Sequence, residues 1–353
     1  MKALAATVLT ICVLVAAGVP AQGRAHSTPP EHEGFGFAPE NTGIEPPAST
    51  RLHGPGLPYR YTHALANIKL AANAADQGPA GTGSASPTPR ESRVTPEQLR
   101  RRNAAIIGSA VGLVAAYGAS NWWQDGFGGA FRTVSEGWFG QTTQSGGADK
   151  FGHAFFSYSG ARLLSAAFGA VGNNANAAAA LGALWSLGIM TGVEAVDGYS
   201  KQYRFSTVDA IMNVAGAAAG YIMERNPTLD ALVDLRIHYL PSESGKFNVG
   251  GDYSGQTYLV ALKASGVPSL RSNGVLRYFE LSFGYGTRGY DSPPQVERRR
   301  NLYFGISLNL SELLGQTAFR GNKDRTRTQR ATDLFFEFIQ PPGTAVPLAK
   351  HRL

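Results

Sequence analysis

The chain reads as an α+β protein: an Ala/Gly-rich four-helix bundle followed by a small antiparallel β region. Three observations support this. Long apolar runs at helical spacing fill residues 94–226. After Asn226-Pro227 the apolar period shortens to two. Ionisable residues interrupt the apolar helices at only a few stations, chiefly between Gly146 and Tyr221.

Before the bundle, Lys2, the apolar run Leu4–Val19 and the small-residue site Val19-Pro20-Ala21 form a signal peptide over residues 1–21. The single cysteine, Cys12, lies inside that apolar run behind Ile11, so the expected mature protein has no thiol, disulfide or Cys-based metal site. Residues 22–93, rich in Pro, Gly, Ala, Ser and Thr, read as a disordered arm with one brief helix over Tyr61–Asp76. Order is expected from Thr95-Pro96-Glu97-Gln98, an N-cap, an N1 proline and a capping-box partner.

The first helix carries Arg100, Arg101 and Arg102 before the apolar run Ala104–Ala119, which is close to the shortest length that crosses a bilayer. After a cleaved leader those arginines lie outside the cytoplasm, against the usual orientation of inner-membrane spans. Asn121-Trp122-Trp123 and Gly137-Trp138-Phe139-Gly140 suit either a membrane interface or a lid over the bundle. Three further helices are expected at Ala148–Val171, Ala175–Tyr199 and Ser206–Met223, the last capped by Ser206.

Alternation then marks five strands, at Leu235–Tyr239, Tyr258–Leu262, Phe279–Tyr285, Leu302–Leu310 and Leu334–Phe338, within a β region over 227–340. The loop Thr287–Arg300 reads as solvated and 341–353 as a tail. Five strands are fewer than an outer-membrane barrel needs, so a small sheet packed on the bundle is expected, with an oligomeric outer-membrane β assembly as an alternative.

Helical spacing puts Asp149 with His153, Glu194 with Asp197 and Lys201, and Asp209 with Asn213 on common faces. Gly160, Gly216 and Gly220 form small-residue seams for close helix approach. Asp149, Lys150, His153, Glu194, Asp197, Asp209 and Asn213 therefore form a candidate cluster. It reads as an internal network neutralised by Lys150, Lys201 or His153, as a site for a lipid headgroup or cell-wall precursor, or as a metal site built from His153, Glu194 and Asp209. The sequence requires no cofactor, and the network reading involves no metal. No catalytic triad order, phosphate loop or zinc-protease helix is present, so the bland reading is a non-enzymatic protein. The net charge of +7 suits an anionic envelope partner such as membrane lipid, and no nucleic-acid motif accompanies it.

The pattern Trp138-Phe139-Gly140, Asp149-Lys150-x-x-His153, Glu194-x-x-Asp197, Ser206-x-x-Asp209 and Val214-Ala215-Gly216-x-x-x-Gly220-Tyr221 resembles the YfiM-like family of uncharacterised bacterial periplasmic proteins and lipoproteins. Tyr253–Tyr258 and Gly284–Gly286 are similar to elements of longer members. Val193 stands where members often carry lysine, and the short members' lipoprotein cysteine has no counterpart here. The spacing Asp149-Lys150-x-x-His153, then Glu194, then Asp209-x-x-x-Asn213-x-x-Gly216 is also similar to the VanZ-like membrane family linked to glycopeptide resistance. The leader and the position of Arg100–Arg102, with the resemblance, imply an exported envelope protein, in the periplasm or at the outer membrane rather than the inner one, and the resemblance brings no established reaction.

Overall fold

A computed structural model describes residues 94–242, 249–290, 297–320 and 326–353. The expected leader, the arm through residue 93 and its brief helix lie outside the described residues. Helix α1 spans Pro96–Asn121 and opens with the expected capping box: Gln98 N donates to Thr95 Oγ1, and Thr95 N donates to Gln98 Oε1. After the two-residue strand β1 (Thr133–Val134), three helices follow: α2 (Ala148–Ala170), α3 (Ala175–Tyr199) and α4 (Thr207–Arg225). Strand β2 (Phe205–Ser206) pairs in parallel with β1 and delivers Ser206 as the N-cap of α4.

Helices α2, α3 and α4 pack against one another closely enough to exclude side chains at the contacts. A Cβ on Gly216 would lie 2.0 Å from the Ala154 carbonyl oxygen, and one on Gly220 would lie 2.7 Å from Ala161 Cβ. Gly160 faces Ser186 in the same way across α2 and α3. The four-helix expectation is corrected here, because α1 only leans on α2 and α3. Its Ile106, Ile107 and Ala110 meet Leu164, Phe168 and Trp185, while the rest of the helix is largely uncovered. Gly108 and Gly112 have open space around them rather than a neighbouring backbone. Among the described residues α1 and α3 are long and apolar enough to cross a membrane, and only 11% and 28% of those apolar stretches are buried.

Helix α5 (Pro227–Leu232) leads into β3 (Val233–Tyr239), followed by β4 (Gln256–Lys263), α6 (Pro268–Arg271), β5 (Phe279–Arg288) and β6 (Arg299–Leu308). Helices α7 (Leu310–Gln316) and α8 (Arg327–Phe338) precede β7 (Ile339–Gln340) and β8 (Ala345–Arg352). The sheet order is β7-β3-β4-β5-β6-β8, antiparallel except for the β3–β7 pair. Three expectations are overturned. Leu334–Phe338 is the end of α8, where Leu334 and Phe338, four apart, reach the core beside Tyr158. The supposed tail contains the edge strand β8. The solvated loop is shorter than expected, because β5 runs on to Arg288 with Thr287 fully buried, and β6 begins at Arg299.

The sheet is strongly curled. Its two edge strands, β7 and β8, are joined by only Pro341–Thr344, a link that spans at most about 18 Å. The edges of a flat six-stranded sheet lie about 24 Å apart. Gln340 on one edge donates a hydrogen bond to Thr344 Oγ1 at the start of the other. The enclosed face is polar. Arg236 pairs with Asp234 and Glu280 and donates to Gln340, and Glu280 accepts from Ser307. Lys263 pairs with Asp234. Glycines make room for the curl: a Cβ on Gly284 would lie 2.7 Å from Leu259 Cδ2.

The opposite, apolar face is covered along β3, where Leu334 and Phe338 of α8 pack with Ile237, and at one end of β4 and β5. There Phe151 and Phe155 of α2 pack on Tyr258, and Phe151 also packs on Tyr285. A buried guanidinium completes the join between helices and sheet. Arg162 pairs with Glu224 at 3.1 Å, and with Asp230 and Glu337 each at 2.6 Å.

Candidate functional site

Asp149 enters at the first turn of α2, where the helix dipole favours a carboxylate, and His153 follows one turn later. Glu194 sits near the end of α3, and Asp209 stands in the first turn of α4. Because the glycine seams bring these helices together, their polar residues converge. Lys150, fully buried, places its ammonium 2.8 Å from Glu136, 3.0 Å from Asp149 and 2.9 Å from Asp209. Three carboxylates surround one ammonium, so Lys150 has no capacity left for Glu194, and the ring of carboxylates holds its pKa up.

His153 faces the remaining pair. Its Nε2 lies 3.3 Å from Glu194 Oε1 and 3.9 Å from Asp209 Oδ2. Its Nδ1 lies 3.2 Å from Asn213 Oδ1, an oxygen that also accepts from Ser157 Oγ at 3.0 Å. An oxygen facing Nδ1 assigns the proton to Nδ1, so the neutral ring turns the Nε2 lone pair toward two carboxylates. Glu194 Oε2 accepts from Ser206 N–H at 3.0 Å, which fixes the carboxylate and leaves Oε1 toward the histidine. Asp209 is held through Oδ1 by Lys150 and through its backbone N–H by Ser206 Oγ.

Burial sets the electrostatics. It pushes the Glu194 carboxyl up to about 8, Asp149 up to about 7 and Asp197 up to about 6. Burial also lowers His153. Asp149 Oδ1, a buried acceptor, and Asn213 Nδ2, a buried donor, have no hydrogen-bond partner among the described residues.

Asp149, His153, Glu194 and Asp209 form one wall of a cavity of about 730 Å³, lined on its other sides by Trp122, Phe156, Met190, Tyr203 and Tyr253 among others. Asp197 also faces the cavity and accepts from Trp123 Nε1 at 2.6 Å. Trp123 closes over α1 at Gly118, where a Cβ would lie 2.4 Å from its ring. Trp122 lines the cavity, Trp123 packs on α1 beside it, and Trp138 is half exposed.

The structure brings together Asp149, Lys150, His153, Glu194, Asp209 and Asn213, with Asp197 farther along the cavity wall. It does not bring in Lys201. Helix α3 ends at Tyr199, so the helical spacing to Lys201 lapses and its side chain is exposed. Sequence reasoning missed Glu136, which precedes the helix in a loop without periodicity, and missed the bond from Trp123 to Asp197, because an indole N–H forms no motif. Tyr253, which lines the cavity from before β4, was quoted only as part of a family element.

His153 Nε2, Glu194 and Asp209 carboxylate oxygens lie within 4.8 Å of one another. A cation with ligand distances of about 2.0–2.2 Å needs donors roughly 3.4 Å apart in a tetrahedron, and His153 Nε2 lies 3.3 Å from Glu194 Oε1 and 3.9 Å from Asp209 Oδ2. No curated protein and no solved structure matches the chain. Residues 135–225, from just before Glu136 to the last residue of α4, match the model of the family DUF2279, described as a predicted periplasmic lipoprotein family.

Proposed function

We propose that this is an exported envelope protein that holds a divalent cation on His153 Nε2, Glu194 Oε1 and Asp209 Oδ2, with one coordination position open to the cavity. The observation that supports this best is the His153 Nε2 lone pair aimed at two carboxylates while Lys150 is saturated by Glu136, Asp149 and Asp209. A pure packing network would need a proton between Nε2 and Glu194 to hold that face together. Each ligand also has the outer partner that metal ligands need: Asn213 for His153, Ser206 N–H for Glu194 and Lys150 for Asp209. One imidazole with two carboxylates suits Zn²⁺ or Mn²⁺ better than Ca²⁺.

Export is supported by the leader pattern and by the description of the matching family. The resemblance to the YfiM-like periplasmic proteins points to the same compartment. A bound cation would let an otherwise acidic cavity accept an oxyanion. With aromatic and apolar walls beside it, the cavity suits a phosphorylated lipid headgroup or cell-wall precursor. The test is thermal unfolding of chelator-treated protein titrated with Zn²⁺ or Mn²⁺. At a hundredfold excess over Kd a specific site raises stability by about 2.7 kcal/mol. Wild type should show this shift and Glu194→Gln should lose it. An equal shift in both, or none in wild type, would reject the proposal.

A further inference from the structure

We propose that the uncovered apolar face of the curled sheet, with the basic ends of its strands, seats the protein in one leaflet of an anionic lipid bilayer. The sheet is inverted relative to a soluble one. Its enclosed face holds Arg236, Asp234, Glu280 and Ser282, all buried, whereas the outward side chains are Val260, Leu281, Phe283, Phe304, Ile306 and Val346, between 36% and 61% exposed. Register makes them one surface. Val260, Phe283 and Phe304 lie in one cross-strand row, and Leu281, Ile306 and Val346 lie in the next. A contiguous apolar surface of this kind is not left to water without a reason. Apolar-out and polar-in alternation is the pattern of strands that face hydrocarbon.

The extent of the surface decides between lying in a membrane and crossing it. Along β5 the uncovered stretch runs from Phe279 to Phe283, four residue steps or about 14 Å, before α2 covers Tyr285. A bilayer core is about 30 Å thick, so the surface matches one leaflet and is too short to span. The charge distribution fits the same placement. Arg298, Arg299, Lys350 and Arg352 are exposed around the far ends of β6 and β8, and Glu297 is paired with two of them. This excess of positive charge falls where anionic headgroups would lie once the apolar end is immersed. At the immersed end Val275 and Leu276 are exposed, and Arg277 is neutralised by Glu312.

The experiment is the full exported chain carrying Phe283→Cys labelled with an environment-sensitive fluorophore. It is mixed with vesicles of phosphatidylethanolamine and phosphatidylglycerol, or of phosphatidylcholine alone. The site is exposed, so the substitution leaves the fold intact, and circular dichroism checks this. The proposal predicts a blue-shifted, several-fold brighter emission only with the anionic vesicles. Each of Arg299→Ser and Arg352→Ser should weaken vesicle binding by about fivefold.

A shift already present in the dilute, vesicle-free protein would assign the surface to the chain's own N-terminal segment. A shift that grows with protein concentration alone would assign it to a second copy. Either outcome, or vesicle binding with no shift at position 283, overturns the proposal. None of these outcomes depends on the cation site.

Discussion

His153 Nε2 and Glu194 Oε1, contributed by α2 and α3, lie 3.3 Å apart with the far side of each fixed by a separate partner. A histidine whose Nδ1 proton is held by Asn213 can meet that carboxylate favourably in two ways. Either a proton or a metal ion lies between them. The proton form is the state that burial favours in the cation-free protein, where the Glu194 carboxyl is pushed up to about 8.

That gives a pH prediction for chelator-treated protein. The folded-state pKa of Glu194 lies above the ordinary value of 4.5. Between pH 4.5 and 8 the folded state therefore binds the proton more strongly than the unfolded chain does. The associated stability is fully present below pH 4.5 and is lost as the pH rises toward 8. Thermal melts of wild type and Glu194→Gln across this range should show a steeper decline in wild type.

Lys150 is the internal counter-ion for Glu136, Asp149 and Asp209. Lys150→Met leaves three buried carboxylates without a cation, a loss of about 3–5 kcal/mol. Chemical denaturation at pH 7 should show it. Loss should be smaller at pH 5, where Asp149, whose carboxyl burial pushes up to about 7, is protonated.

Arg162 ties α2 to Glu224, Asp230 and Glu337. Arg162→Ala should cost about 3–5 kcal/mol in denaturant unfolding, because it strands acidic groups that the helices and α8 bury together.

Two glycines separate packing from propensity. Gly216→Ala pushes a methyl to within 2.0 Å of the Ala154 carbonyl oxygen and should lower the melting temperature clearly, with a cost of about 1–3 kcal/mol. Gly112→Ala, in an exposed stretch of α1 with nothing nearby, should raise stability by about 0.5–1 kcal/mol.

Much of the helical part was legible because its signals are local. Thr95-Pro96-Glu97-Gln98 marks the start of α1, and Asn174 and Ser206 cap α3 and α4 through side-chain oxygens. Helical spacing put Asp149 with His153 and Asp209 with Asn213 on common faces, and the packed helices bring these groups to Glu194. What spacing could not reveal was the division of labour, since only three dimensions show that Lys150 is saturated and Lys201 is remote.

The sheet was legible in its alternation but not in its hand. Phe283 and Ser282 alternate as any half-buried strand does, and periodicity alone assigns the apolar set to the core. Curling reverses this, enclosing Ser282 and Glu280 and leaving Phe283 outside. Strand β8 escaped notice because Pro347 and the basic residues Lys350 to Arg352 weaken its pattern. Pro347 is tolerated there because β8 is an edge strand with an irregular register beside Phe304 and Gly305. The run Leu334–Phe338 misled in the other direction, since five residues are too few to separate a helix end from a strand.

The most direct test of the central claim is the stoichiometry of bound divalent metal after equilibrium dialysis against Zn²⁺ or Mn²⁺, for wild type, His153→Ala and Glu194→Gln. The account predicts about one ion per wild-type chain and a loss of at least tenfold in affinity in each variant. Wild type without bound metal, or variants that bind as tightly as wild type, would contradict it.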